Sequence, residues 1–580
     1  MPKRKKRIRD KTGKSKRRRP TARRGALDAV TRAVAMRDVI FIETVHEAIS
    51  AIPEECRVDR VTEPMEAMAP LDAVRLAVEE LGRRYAQAMG CYSWLFWLRR
   101  LPSEFFSDGP ATSRLYCRAL AEVMSSWTTN LEHFEAKSLK SVVPGISDSQ
   151  LESVVKLCSI AHVLATVHST IRRAGKGESV RWSRHGLPSP VPDTELDEMI
   201  DLYDERHLSQ EGFRAGTQPF RFQPFFTKLI EPGSWEQFAL VVREGPELAR
   251  VTYWRGPVSA AKAIEIKPGA FIAGLMTTAN LRSLLVSSKD IAKWQESRRL
   301  TSLLILLRLV FLATFFNEPG SQWNALPAVG YLVLPSANLL EGIQLQLPTI
   351  SADLLEIMPE NVASDATQVL ADVAAIEARP WPLARGPILR VAGAQTAIDI
   401  NAATYRIDDL MTIPGAGGGA LANARGASFE QNVQEMIDHT AWAPMSPLRE
   451  LRGRTLRSDR ESITDVDALA VSRSTVLLVS CKSIPYTYDY DSGDYASVRN
   501  VRTYIERSDM EWQQRVRKLQ RQPIGDNYNF EGYDIYGVVC TPFVIFVNRP
   551  QARVIIEHED RILRATCGLG ELIDFLVAET

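Results

Sequence analysis

The sequence predicts a multidomain α+β protein, with a helical N-terminal region, a mixed α/β central region and a C-terminal domain of helices around a short series of strands. Three observations carry that expectation. At 580 residues the chain exceeds what one hydrophobic core usually serves, so about two to four domains are expected. Apolar spacing changes along the chain, from the three- and four-residue steps of amphipathic helices to β-branched runs typical of strands. Proline- and glycine-rich stretches punctuate those changes.

Residues 1–25 read as a basic tail. Residues 3 to 24 hold fourteen lysines or arginines, among them Lys3, Arg4, Lys5, Lys6, Arg7, Arg17, Arg18 and Arg19, against the single acid Asp10. The tail therefore carries +13, and the whole-chain charge of +1 leaves about −12 for the rest. Such a block has little apolar surface to bury; it is expected to be disordered and to attract polyanions by counterion release. Nucleic acid is the natural partner, although a solubilising tail or a nuclear-import signal has the same composition. The tail lacks the apolar stretch of a secretion signal and the amphipathic face of an organellar presequence. A cytoplasmic location is expected, nucleoid-associated in a bacterium and nuclear in a eukaryote.

Residues 26–184 read as a helical domain. LDAVRLAVEELGRRYAQAMGCYSWLFWLRRL, SRLYCRALAEVMSSW and LESVVKLCSIAHVLATVHSTIRRAG repeat the helical spacing, and the last ends on a glycine stop signal. The aromatic cluster Tyr92, Trp94, Phe96 and Trp97 has the spacing of core residues more than of a base-stacking platform. HGLPSPVPD opens an expected linker, 185–215. Residues 216–412 form a mixed region with strand-like FALVVRE and ARVTYWRG and the apolar stretch LTSLLILLRLVFLATFF. That stretch is short for a membrane span and carries Arg308 near its centre, so a buried core helix and no membrane contact are expected. The helical and central regions are the expected place for substrate recognition or a partner protein. Residues 413–425, within IPGAGGGALANARGAS, read as a flexible hinge in preference to a phosphate-cradling loop, since no lysine-serine pair follows.

Residues 426–580 contain the stretch that suggests chemistry. In SITDVDALAV the residues alternate, which puts Asp465 and Asp467 on one face of a strand. TVLLVSCKS is apolar through Val479 and then polar, the signature of a buried strand whose end opens onto a site occupied by Lys482. A hairpin through Ser472 to Ser474 brings the lysine beside the acids. Carboxylates that hold a divalent cation and a lysine that orients water suit phosphodiester hydrolysis. The bland alternative is a hairpin of surface acids. Elsewhere the seven cysteines form no CxxC pair, His162 and His168 have no zinc spacing, and no Walker, GxGxxG or GxSxG motif occurs, which argues against zinc, a disulfide framework and nucleotide-driven work.

The pattern resembles the PD-(D/E)XK, or restriction-endonuclease-like, superfamily, over roughly the last quarter of the chain. GASFEQNVQEMI is similar to its opening helix, with Glu430 at the helix glutamate; Asp467 matches its strand aspartate, Lys482 its lysine, and the Cys481 backbone carbonyl its main-chain metal ligand. The succession of this helix, the LRGRTLR strand, the two motif strands, the helix VRNVRTYIERSDMEWQQRVRKLQ and the strands of YGVVCTPFVIFVN resembles the αβββαβ core. The resemblance implies a nuclease, acting on DNA, with Mg2+ or Mn2+ on Glu430, Asp467 and the Cys481 carbonyl, and a role in bacterial defence or restriction. RNA is the alternative substrate. Ser480 stands where most members carry a second acid, and Glu430 and Asp465 are the candidates to supply that charge. Arg452, Arg454 and Arg457 on the first strand are candidate phosphate contacts, and Gln513 and Gln514 candidate neighbours of the lysine. YTYDYDSGDY reads as a solvated loop. A nuclease-fold protein without activity, binding nucleic acid or a partner, is the second reading.

Overall fold

The computed structural model describes residues 22–101, 105–109, 111–130, 144–210, 220–221, 237–244, 271–277, 297–316, 329–355, 362–376, 378, 385–411, 420–485, 487–558 and 561–577. The tail cations Lys3 to Arg19, the ARVTYWRG strand and the glycines of the expected hinge lie outside them. The described architecture is mixed, α-helices with several small sheets, as an α+β protein should be.

The N-terminal region is helical: α1 (Ala22–Ala51), α2 (Pro64–Ala86), α3 (Cys91–Leu98), α4 (Ala111–Ser125) and α5 (Asp148–Lys176). Helix α5 is central, packed by α1, α2 and α4. Its start is fixed by a capping box, in which the Ser147 hydroxyl accepts from the Gln150 amide and Gln150 reciprocates at the Ser147 N–H, and its end by left-handed Gly177. The aromatic cluster is core, with Trp94 fully buried and its indole N–H donated to the Ala86 carbonyl at 2.8 Å. Among the described residues α5 is the one helix long and apolar enough to cross a membrane, and 72% of that apolar window is buried inside the protein.

Strands β1 (Arg60–Thr62), β2 (Val180–Trp182) and β3 (Ser189–Pro190) form a small antiparallel sheet beyond α5. The segment 185–215 is therefore not a plain linker: after β3 it forms α6 (Thr194–Gln210). Met199, Ile200 and Tyr203 of α6 join the hydrophobic core of the C-terminal domain, and Arg206 pairs with Glu571 at 2.7 Å. The spacing of Leu196, Met199, Ile200 and Tyr203 is helical; the prolines just before it obscure the signal.

The central region contains a sheet of β4 (Phe220–Arg221), β5 (Gln237–Glu244) and β6 (Phe271–Thr277), and another of β7 (Tyr331–Pro335), β8 (Leu389–Ala392) and β9 (Gln395–Asp399). Around them pack α7 (Ser297–Phe316), α8 (Ser336–Leu355), α9 (Ala366–Ala374) and α10 (Ile400–Met411). Leu303, Leu304, Leu306 and Leu307 of α7 are fully buried, so the apolar stretch is a core helix, with the Arg308 guanidinium 5.4 Å from the Phe311 ring centre. The helical and central regions share a core, since Tyr331 and Ala397 pack with Trp94 and Leu120. A buried ion pair ties them further, Arg99 to Glu122 and, at 2.9 Å, to Asp399.

The C-terminal domain begins with α11 (Ala420–Asp438), which starts inside the stretch expected as a hinge. A hairpin of β10 (Thr455–Ser458) and β11 (Glu461–Asp465) follows, then β12 (Ala468–Ser472), β13 (Thr475–Cys481), α12 (Tyr488–Ser492), α13 (Tyr495–Arg521), β14 (Asp534–Thr541), a hairpin of β15 (Val554–His558) and β16 (Arg561–Arg564), β17 (Thr566–Gly568) and α14 (Leu569–Val577). The main sheet runs β12-β13-β14-β17; β12 is antiparallel to β13, whereas β14 and β17 are parallel to it. Alternation along β13 divides the layers: Val476 and Leu478 pack with Trp512 and Val516 of α13, while Leu477, Val479 and Cys481 pack with Phe429 and Val433 of α11. The sheet is thus covered on both faces. YTYDYDSGDY is not a solvated loop: it forms α12, with Tyr490 and Asp491 buried.

Candidate active site

The site lies where β13 ends and β12 begins. The expected continuous strand through both acids is broken at Val466. Residues 461–465 follow β10 in their own hairpin, Val466 is fully buried, and residues 468–472 turn to pair with β13. Asp467 therefore stands at the head of β12, opposite the end of β13. Its Oδ2 accepts the Cys481 N–H at 2.7 Å and faces the Ser480 hydroxyl at 3.4 Å. Oδ1 has no donor among the described residues.

Lys482 is held by the sheet beside it, its N–H donated to the Cys540 carbonyl at 2.9 Å. Its Nζ donates to the Ser480 hydroxyl at 2.9 Å and approaches the Cys481 carbonyl at 3.4 Å. Ser480 thus links lysine to aspartate, accepting from one and donating to the other. The link follows from strand geometry, since residues 480 and 482 share a face.

Glu430 enters from α11 on the other side of the sheet. Its carboxyl is raised above the usual range, first by burial and then by the charge of Asp467, while Lys482 pulls it down. Asp467 is also raised by burial, against the lowering effects of the Cys481 N–H and Lys482. The Cys481 thiol is pushed well up by burial and by the two acids. These mutual effects place Glu430, Asp467, Cys481 and Lys482 in one electrostatic neighbourhood.

Among the described residues no group of three or more His, Cys, Asp or Glu side chains is arranged to hold a metal. Of the donors that the resemblance implies, Asp467 is tied to the Cys481 main chain by a hydrogen bond, and Glu430 is joined to them through charge alone. Magnesium commonly takes one or two carboxylates and keeps several waters, so oxygen donors of this kind suit a hydrated, open site and not a protein-enclosed cage.

Other candidates fall elsewhere. Asp465 ends β11, is exposed and accepts from the Thr455 hydroxyl across the hairpin, so it influences Asp467 through charge without sharing its strand. Arg452 is held by Asp438 in a two-pronged pair at 2.5 and 2.9 Å, and is not available to a phosphate without breaking it. Arg454 is exposed. Gln513 bridges Asp509 and the Gly537 carbonyl, which fastens α13 to β14, and Gln514 is exposed.

Two neighbours were not legible as site residues. Glu511 of α13 is paired with Arg507 and lowered by it, with Arg515 and Lys482 adding to the effect. Arg515 reaches the Thr464 hydroxyl at 3.5 Å, which sets this stripe of α13 alongside β11 and the site. The available signal is helical spacing: residues 511, 515 and 518 lie on one side of α13. Comparison with known protein families, curated proteins and solved structures finds no match for the chain.

Proposed function

We propose that the protein is a metal-dependent nuclease that hydrolyses phosphodiester bonds of DNA, with Glu430, Asp467 and Lys482 as its catalytic residues. The observation that carries this reading is the hydrogen-bonded set of Asp467, the Cys481 main chain, Ser480 and Lys482 at the open end of β13, with the Glu430 carboxyl of α11 near enough to feel the charges of Asp467 and Lys482. The succession α11, β10–β11, β12, β13, α13, β14, with β14 parallel to β13, supports a restriction-endonuclease-like αβββαβ domain. A place in bacterial nucleic-acid defence follows from the same likeness.

Glu430, Asp467 and the Cys481 carbonyl would hold Mg2+ or Mn2+, which when bound supplies positive charge to the phosphate and acidifies water. Lys482 donates from a fixed position, so its ammonium steadies negative charge developing on the phosphate or orients the attacking water. Ser480 keeps that ammonium directed toward Asp467. Burial raises both carboxyls, so protonation would compete with cation binding increasingly as pH falls.

The test is cleavage of supercoiled, linear and single-stranded DNA, and of RNA, with Mg2+ or Mn2+. Asp467→Ala and Lys482→Ala are expected to lower the rate by about a hundredfold or more, the scale of a lost charge-stabilising donor. Cleavage that survives both substitutions unchanged sinks the assignment. A second reading, a nuclease-fold protein that binds without cutting, is favoured by one feature: Ser480 replaces an acid and joins Lys482 to Asp467 internally. It predicts binding with no cleavage in either metal.

A further inference from the structure

We infer that the β10–β11 hairpin and the adjoining side of α13 form a cationic ledge that seats the phosphate backbone of duplex DNA leading into the site. The inference rests on the nuclease reading for its substrate, but not for its geometry. Arg457 and Arg460 project from the hairpin, and Arg515, Lys518 and Arg521 from the C-terminal half of α13; all five are exposed. Lys518 lies 3.7 Å from Glu461 and Arg515 lies 3.5 Å from Thr464, so the two elements present one continuous surface. That surface runs along β11 toward Asp465 and Asp467.

The ledge is built rigidly. Asn527 accepts the Arg457 N–H and donates to the Thr455 carbonyl, both at 2.9 Å, and Asp526 accepts the Arg460 N–H at 2.7 Å. The hairpin is thus fastened to the loop that follows α13. Its tip holds Asp459 and Arg460 at φ of 53° and 66°, left-handed conformations that a type I′ turn requires and that favour Asn and Gly. An arginine kept at such a position points to a role for its charge.

Charge on the surface is unbalanced in the required direction. Among the described residues Arg457, Arg460, Arg515 and Arg521 form no ion pair. The exposed acids Asp459, Glu461 and Asp526 lie among the five cations, and Glu511, one turn before Arg515, is already paired with Arg507, so the surface keeps a net positive charge. The Glu461 contact to Lys518 joins two exposed side chains, 78% and 43% accessible, which a phosphate can replace at little cost. At the reactive end the acids are Asp465 and Asp467. Such a ledge positions a backbone without reading sequence.

The test is binding of a labelled DNA duplex to the full-length protein in EDTA, so that no cleavage occurs, as a function of salt. R515Q/K518Q/R521Q is expected to weaken binding by roughly tenfold or more and to reduce the slope of log K against log salt by about 2 to 3, near 0.9 per lost phosphate contact. The N-terminal tail contributes equally to both proteins, so the difference isolates the ledge. Arg181→Gln, exposed on β2 of the small sheet beyond α5, is expected to leave the slope unchanged. An unchanged slope in the triple variant, or an equal drop in Arg181→Gln, overturns the ledge. Wild-type cleavage with an unchanged triple-variant slope leaves the nuclease reading standing and removes the ledge; a reduced slope without cleavage in any metal does the reverse.

Discussion

On the nuclease proposal, Asp467 is the residue at which folding and chemistry conflict. Burial holds its carboxyl above the ordinary range, so the native state takes up a proton more readily than the unfolded chain. Linkage gives the sign: the metal-free fold loses stability as pH rises from the ordinary aspartate range through the raised value. Asp467→Asn keeps an acceptor for the Cys481 N–H and removes the charge. It should stabilise the metal-free protein by about 1 kcal/mol at neutral pH, flatten that pH dependence and abolish cleavage, as thermal melts and nuclease assays would register. Ser480 offers the converse change. Ser480→Asp adds the missing acid beside Asp467, and is expected to lower the Mg2+ concentration for half-maximal cleavage by about tenfold, the scale of a ligand's effect on metal affinity. An unchanged Mg2+ requirement in that variant would place the extra charge outside the metal's reach. The sequence points to Asp467 and Lys482 because TVLLVSCKS is apolar through Val479 and turns polar only at its end, and the apolar ALAV begins directly after Asp467. It does not reveal that Asp465 leaves the strand, because SITDVDALAV alternates whether or not the chain turns at Val466. Nor does it show Arg452 tied to Asp438, an interaction between an arginine and the end of a helix fourteen residues before it.

At the scale of elements, the β10–β11 hairpin holds a local cost for a distant purpose. Arg460 at φ 66° occupies the turn position that glycine fills most readily. Arg460→Gly should therefore stabilise the fold by about 1 kcal/mol, as measured by denaturant unfolding, while weakening duplex binding. A variant that gains stability and loses no affinity would leave the strained arginine without a role in binding. Helix α6 shows how an element escapes notice. Its apolar residues carry a helical period, but the preceding HGLPSPVPD dominates the local composition, and its burial depends on a partner surface on the distant C-terminal domain. Helix α12 is similar: Tyr490 alternates with aspartates as it would in a loop, and distant residues draw it inward, among them Phe546, whose N–H donates to the Tyr490 hydroxyl at 3.0 Å, and Phe543, whose ring centre lies 6.0 Å away. Long helices such as α5 and α13 were legible because their apolar period runs over many turns, although the stop expected at Gly175 falls inside α5, which closes at Gly177; short ones depend on tertiary contacts that no window of sequence contains.

For the molecule as a whole, the consequential contact joins α5 of the helical region to the C-terminal domain beside α12. Lys176 near the end of α5 is buried, and burial pushes its amine down to about 8, with Arg172 adding to the effect and Asp204 opposing it. Its Nζ donates to Asp204 at 2.9 Å and lies 4.3 Å from the Tyr203 ring centre. An ammonium held below its ordinary 10.5 costs native stability near neutral pH, and that cost fades as pH rises from about 8 to 10.5. Lys176→Met should remove this rise in stability over that window relative to wild type, in parallel denaturation curves. Backbone packing at the same junction is tighter still. A Cβ on Gly175 would overlap the Gly493 carbonyl, and one on Gly493, which closes α12 at φ 82°, would come within 2.7 Å of the Arg172 Cα. Neither neighbour is the flexible end of a side chain, so α5 and α12 must separate to admit a methyl group. Gly426→Ala, in helix α11 where a Cβ meets nothing within 4 Å, is the matched control and should add about 1 kcal/mol of helix stability. Gly175→Ala should cost about 2 to 3 kcal/mol, as overpacking does. If the junction transmits to the site, cleavage in Gly175→Ala falls by more than the lost folded fraction explains. If it serves packing alone, activity per folded molecule stays at the wild-type value, and the helical region is a scaffold with no hold on Lys482.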